Sequence, residues 1–422
     1  MRKLLNRKSG QQSAIQAING SDSNSKMKHS PNTIKMKLKF FLLLFLLAGI
    51  TKKNHAQYDS IMHSSGYRTY LLHLPPSYVP GDPAPMLIAM HGGFGSGPQL
   101  ENQSQLSVKA DSEGFIVVYP EGVRGNLNIR TWNAGGCCGY AMNNNIDDVG
   151  FISALIDTLK DKYSIDTNRV YATGMSNGGF MSYRLACEIP EKIVAIAPVA
   201  ASMNVISCNP PRPVPVIHFH SYLDQNVPYQ GGTGSGTSNH HNPPLDSVMN
   251  VWSFINTCHT VYDTLTNDSN LTHIRFGNCT CGSEIHLYLT KDGGHSWPGG
   301  NSTGIGDPAS MVISANDLMW DFFQQYSLQC GPTGMKETGN NAIKLKVTPN
   351  PPDRNITIQT EGALHHADMI LYHSTGRIVH RIENVSGHRL EIKRGNLPAG
   401  LYFVQVYESG KIMGATRIIL TN

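Results

Sequence analysis

A serine between two glycines, in Tyr171-Ala-Thr-Gly174-Met-Ser176-Asn-Gly178-Gly179, is the strongest chemical signal in the chain. A turn of this kind holds the serine in a strained conformation that exposes its hydroxyl, and glycines flank it because side chains would crowd the turn. The G-x-S-x-G spacing alone decides nothing, since Gly300-Asn-Ser302-Thr-Gly304 satisfies it too. Context separates the two. Ser176 follows the strand-like run Arg169 to Thr173 and precedes the helix-like Phe180 to Ala186, which Pro190 stops. Glycine, proline and polar residues surround Ser302, which reads as loop. Ser176 is the candidate nucleophile.

A serine hydroxyl is a weak nucleophile until a base takes its proton and an acid fixes that base in the right tautomer. Downstream, Ser221-Tyr-Leu-Asp224-Gln-Asn-Val-Pro228 offers a carboxylate just beyond a strand-like run, and Gly293-Gly294-His295-Ser-Trp297 offers an imidazole in a glycine-flexed loop. Asp224 is the acid candidate and His295 the base candidate. Each alone would read as a turn aspartate or a surface histidine. Together with Ser176 they stand in the order Ser, Asp, His, each after a candidate strand. The oxyanion needs two backbone donors: the amide of Asn177, directly after the nucleophile, and one from His91-Gly92-Gly93-Phe94-Gly95, with Gly93 the choice and Phe94 the alternative. Trp132 and Trp297 flank glycine-rich loops and are candidate walls of an acyl pocket, although packing explains them equally well. Asp147 and Asp148 read as a helix start rather than a calcium or substrate site. His218 and His220 alternate on a strand, one expected to face the core and the other to lie near the acid loop. His240-His241 falls in a segment, 231–244, that suits a lid or loop better than a metal site.

Elements of the right type lie where these residues require them. Strand-like runs at Arg68 to Leu74, Met86 to Met90, Phe115 to Tyr119, Arg169 to Thr173, Ile193 to Val199, Val214 to His220 and Ile285 to Leu289 alternate with helix-like stretches. The clearest helix is Ile146 to Lys160, with an aspartate cap and apolar residues at helical spacing. This alternation predicts an α/β fold with a mostly parallel sheet, an α/β-hydrolase once the triad order is added. After Gln329 the composition changes: 331–342 reads as a linker, and short alternating runs from Ile343 to Leu420 predict a small C-terminal all-β sandwich.

With 422 residues the chain exceeds a usual single core. Its net charge of +4 is spread along the sequence and suggests neither nucleic-acid nor membrane-surface binding. Residues 36–56 carry a basic start, an apolar run from Phe40 to Ile50 too short to span a bilayer, and a cleavage site after Ala56, which is a signal-peptide pattern. The polar stretch 1–35 before it is expected to be a non-native extension, with the true start at Met36. Export makes disulfides the expected state of the eight cysteines. Cys187 is expected to pair with Cys137 or Cys138, and Cys258 with Cys279 or Cys281. Zinc is disfavoured because the Cys279-Thr-Cys281 spacing is too short and no second cysteine pair faces it. No metal or organic cofactor is expected.

From Tyr67 to Gln329 the chain resembles the secreted esterases that comprise poly(3-hydroxybutyrate) depolymerases and feruloyl or acetylxylan esterases of carbohydrate esterase family one. The matching residues are His91-Gly-Gly, Thr131-Trp-Asn-Ala-Gly-Gly-Cys-Cys-Gly139, Asp147-Asp-Val-Gly-Phe151, the Gly174 to Gly179 turn, Asp224-Gln-Asn-Val-Pro-Tyr229 and Gly293-Gly-His-Ser-Trp-Pro-Gly299. The resemblance implies the same triad: Ser176, Asp224, His295. It departs at Ser221-Tyr222, where the family has a glycine after the strand histidine. The C-terminal part resembles the sorting domain of the type IX secretion system of Bacteroidetes-type bacteria through Val347-Thr-Pro-Asn350-Pro351, Leu371-Tyr-His-Ser-Thr-Gly376-Arg377, Leu397-Pro-Ala-Gly400-Leu-Tyr402-Phe-Val404 and Arg417-Ile-Ile-Leu420. The expected organisation is therefore an extension (1–35), a signal peptide (36–56), an esterase domain (57–330), a linker (331–342) and a sorting domain (343–422). The expected activity is hydrolysis of carboxylic esters on a polymer or oligomer, outside the cell or at its surface, after delivery by type IX machinery, with no stable membrane span. A serine peptidase of the same fold and a non-catalytic carbohydrate-binding or adhesive surface protein are the alternatives.

Overall fold

A computed structural model describes residues 57–64, 66–205, 207–236, 239–258, 262–302, 306–328, 345–348, 355–373, 378–408 and 411–420. The extension, the signal peptide, the linker and Cys330 lie outside the described residues. A ten-stranded sheet organises the larger part: β1 (Gln57–His63), β2 (Gly66–His73), β3 (Ala84–Met90), β4 (Ile116–Pro120), β5 (Ile165–Met175), β6 (Ile196–Val199), β7 (Val216–Ser221), β8 (Asp263–Asn267), β9 (Leu271–Phe276) and β10 (Ile285–Thr290). The spatial order is β1-β2-β4-β3-β5-β6-β7-β10-β9-β8. Strands β4 through β10 in that order are parallel, and antiparallel pairs close both edges. This is the mostly parallel α/β sheet that the alternating pattern predicts.

Strand alternation sends Met86, Ile88 and Met90 of β3 to one face and Leu87 and Ala89 to the other. Helices α1 (Gly97–Ser104), α2 (Leu106–Glu113) and α7 (Ala315–Phe323) cover the second face. Helices α4 (Asp148–Lys162), α5 (Asn177–Glu188) and α6 (Leu245–Ile255) cover the first; a short α3 (Gly139–Asn143) lies at the sheet's end. Helix α4 begins as expected, with the Asp147 side chain accepting from Gly150 N at 2.8 Å, and carries Lys160 and Lys162 in its last turn, where positive charge suits the helix dipole. Asp148 faces inward instead, paired at 2.7 Å with the buried Arg68. Burial pushes its carboxyl up, against the pull of Arg68 and the Asn133 amide.

The C-terminal part is all-β, as expected. Strands β11 (Leu345–Thr348), β12 (Asn355–His373), β13 (Ile378–Lys393), β14 (Gly400–Glu408) and β15 (Lys411–Leu420) form one continuous antiparallel ladder around a single apolar cluster, and its two end strands, β11 and β15, approach each other as the halves of a sandwich do. The ladder is continuous because β12 bonds β11 along its first half and β14 along its second, so that a single bulged strand joins both halves.

Candidate active site

Ser176 lies between the last residue of β5 and the first of α5, with φ 53° and ψ −121°. A non-glycine residue rarely holds this conformation, and at such a turn it costs about 1–3 kcal/mol that the surroundings must enforce. They do so at close quarters. A Cβ on Gly174 would strike the Gly178 carbonyl, one on Gly178 would strike the Met90 carbonyl, and Ser176 N is tied to Val199 O at 2.9 Å. The alternative serine, Ser302, is exposed coil.

Asp224 and His295 come from loops that follow β7 and β10, neighbouring parallel strands. His295 Nδ1 donates to Asp224 Oδ2 at 2.8 Å, and Asp224 Oδ1 accepts from the amides of Asn226 and Val227, each at 2.9 Å. Burial pushes the Asp224 carboxyl up, but the bond and charge of His295, the neighbouring His220 and the Val227 amide outweigh it, so the group lies below its ordinary value. Ser221, the departure from the expected glycine, has a job of its own: its Oγ donates to Asp292 O at 2.9 Å and accepts from Leu223 N at 3.0 Å. It ties the acid loop to the histidine loop. His295 N is anchored in turn on the Asp307 carboxylate at 2.6 Å.

As the first residue of α5, Asn177 has an amide with no intrahelical acceptor. Its side chain clasps the Trp132 peptide, accepting from Trp132 N at 2.7 Å and donating to Trp132 O at 3.0 Å. A Cβ built on Gly93 would meet nothing within 4 Å, so this backbone faces open space. Phe94 drops out as the alternative donor, because its amide already bonds Arg130 O at 3.1 Å. His91 is buried, donating from Nδ1 to Gly92 O at 2.7 Å and accepting Gly122 N at Nε2 at 3.0 Å, and so pins the loop.

Ser176, Asn177, Gly93 and His295 line one cavity of about 850 Å³. The two tryptophans do not. Trp132 is fully buried, bonds His91 O through Nε1 at 3.0 Å and stacks on Phe151; Trp297 is fully buried and bonds Asn316. They are corrected from acyl-pocket walls to struts beneath the site. The walls come instead from Gln99, Ile129, Tyr140, Phe180 and Asn226, none of which sequence reading singled out. Ser235, Gly236 and His240 also line the cavity, so the glycine-rich segment contributes to its wall.

The cysteines pair differently from expectation in part. Cys258 pairs with Cys279, one of the two partners expected, but Cys187 pairs with Cys208 and Cys137 with Cys138. Cys137 lies by Asn177 at the start of α5, whereas Cys187 is ten residues along the same helix, about 15 Å away and beyond disulfide reach. With the sulfurs of Cys137 and Cys138 joined to each other, that pair and the nearby His240 offer a metal no thiolate.

Residues 68–206 match the family model described as Esterase PHB depolymerase, and residues 346–421 that of the secretion system C-terminal sorting domain, which meets both resemblances read from the sequence. Feruloyl esterase B of Piromyces equi is 29% identical over 268 residues, covering 62% of this chain and 46% of the relative. The bifunctional acetylxylan esterase/xylanase XynS20E of Neocallimastix patriciarum is 30% identical over 270 residues, covering 62% and 34%. Poly(3-hydroxyalkanoate) depolymerase C of Paucimonas lemoignei is 29% identical over 181 residues, covering 42% of each chain. The chain thus spans between a third and half of the length of these relatives. Among solved structures, an acetyl xylan esterase from Aspergillus awamori superposes with a TM-score of 0.44 at 15% identity, covering 64% of this chain and 99% of that one.

Proposed function

We propose that this chain, with its esterase segment and sorting tail, is an exported serine esterase acting on polymer-borne carboxylic esters. The observation that carries the reading is the cavity shared by Ser176, in its strained turn, and His295, whose Nδ1 is bonded to the buried Asp224. That bond leaves Nε2 of His295 as the basic nitrogen. It takes the Ser176 proton as Oγ attacks the ester carbonyl, and returns it to the leaving alcohol. The Asn177 and Gly93 amides receive the oxyanion, a pair of donors each worth about 10²–10³ in rate at sites of this kind. Water then releases the acyl group from Ser176 by the same route.

The side chains lining the cavity are amide, hydroxyl, apolar and imidazole; among the described residues none is a carboxylate, lysine or arginine. A neutral ester fits such a lining. Support for feruloyl, acetyl or hydroxyalkanoate esters comes from what the relatives are named for. Export is supported by the match to a sorting domain and by the basic-apolar pattern of 36–56. Among the described residues no helix is long and apolar enough to cross a membrane.

Purified protein assayed on methyl ferulate, acetylated xylan and polyhydroxybutyrate, beside Ser176→Ala, tests the reading. Turnover of at least one ester and its loss by a factor of about 10³ or more in the variant are expected. Turnover of none, of anilides but not esters, or undiminished activity of Ser176→Ala would each overturn it.

A further inference from the structure

Behind Asp224 runs a line of buried polar side chains that the proton transfers above do not use. His218 and His220 stand two residues apart on β7 and so share one face of the sheet, the one beneath α5. Both are buried, and they touch, with His218 Nε2 3.4 Å from His220 Nδ1. Tyr183 of α5 reaches His218 Nδ1 with its hydroxyl at 2.8 Å. At the other end His220 Nε2 lies 2.8 Å from Val227 O and 3.6 Å from Asp224 Oδ2, the oxygen that also accepts from His295. His218 is thus the core-facing member of the pair and His220 the one beside the acid loop, as expected, although both lie on one face of the strand.

The protons in this line have one arrangement. A carbonyl oxygen only accepts, so His220 carries its proton on Nε2. Burial holds both rings below their ordinary values and therefore neutral, which makes His220 Nδ1 an acceptor. His218 then donates from Nε2, its Nδ1 accepts, and the Tyr183 hydroxyl is the donor. Every step runs toward the acid loop. Its last bond falls on Val227, whose amide holds the Asp224 carboxylate while its carbonyl is held by His220.

We infer that His220 is a positioning residue of the site: through the Val227 backbone, and with its N–H beside Oδ2, it sets the orientation of the Asp224 carboxylate toward His295. This rests on the proposed triad. His218 and Tyr183 fix the tautomer of His220 and thereby the direction of the clamp.

Three measurements test it. His220→Leu removes the donor, and loosening the acid is expected to lower kcat between about tenfold and a hundredfold with KM nearly unchanged, per titrated active site. His220→Gln, which restores an N–H near the Nε2 position and an acceptor beside His218, is expected to recover most of that loss. In the unmutated protein, imidazole ¹⁵N spectra recorded above the ordinary histidine range, at about pH 8, are expected to show both rings neutral and protonated at Nε2. Unchanged kcat in His220→Leu, no recovery in His220→Gln, or an Nδ1–H or charged ring would overturn the inference. If His220→Leu does not fold, the Gln variant and the spectra still decide. Ser176→Ala separates the two claims: activity there sinks the triad, whereas a dead Ser176→Ala beside a fully active His220→Leu sinks only the positioning role.

Discussion

Asn177 brings two functions into one residue, a backbone amide at the start of α5 and a side chain that holds the buried Trp132 peptide at both its N–H and its C=O. Asn177→Ala keeps the amide and deletes the clasp. A buried polar group left without its partner costs about 1–3 kcal/mol, so urea denaturation is expected to report a stability loss of about that size or somewhat more. Activity is expected to fall as well, because the segment bearing Trp132 holds the His91 carbonyl through Nε1 and the Phe94 amide through Arg130 O. A variant with normal kcat and normal stability would show that the clasp is idle. The place of the Asn177 amide at the start of α5 was readable from its position after Ser176, but its side-chain contact was not, because the partner backbone lies 45 residues away in sequence. The tryptophans were misread for a related reason. Glycines beside a tryptophan mark a loop, and nothing in their spacing says whether the ring turns into the cavity or into the core.

The residue that follows strand β3, His91, links the site to pH. Burial pulls His91 down to about 4 from its ordinary 6.5, and the hydrogen bond to Gly92 and the charge of Glu121 offset this only in part. The unfolded chain therefore binds a proton that the folded one refuses between those values, so the contribution of His91 is complete above pH 6.5 and is lost as pH falls toward 4. A shift of this size corresponds to about 3 kcal/mol. His91→Gln can still donate to Gly92 O and accept from Gly122 N without titrating. Its unfolding free energy is expected to fall less steeply than that of the parent between pH 6.5 and 4, and parallel profiles would refute the assignment. His273, also held at about 4, leaves a residual slope in the variant. The parallel core strands were legible as apolar, β-branched runs because both of their faces are covered. The antiparallel strands β1, β8 and β9 are not legible in this way: sequences such as Gln57–His63 and Asp263–Asn267 mix polar and apolar residues, as antiparallel strands with a wet face do.

At the scale of the whole molecule, the tail rests on the larger part through α6. Phe403 meets Phe254 edge-on at 4.7 Å between ring centroids, Gln405 Nε2 donates to Asn250 O at 3.4 Å, and Ile370 and Tyr372 join the apolar cluster under α6. The motifs of the tail were readable in its glycine- and proline-bearing sequence, but this contact was not, since an apolar strand face does not name its partner. The cavity lies elsewhere: its lining runs from Gly92 to Gly306 and includes neither α6 nor any strand of the tail. A chain ending after Ala342 should therefore keep kcat/KM on a small soluble ester within about twofold, because no group that binds or positions the ester is removed. It should also melt earlier, because Phe254 and its neighbours lose apolar cover worth about 1–2 kcal/mol, a few degrees in Tm for a domain of this size. Loss of turnover with the fold intact would mean that α6 transmits the state of the tail to the site.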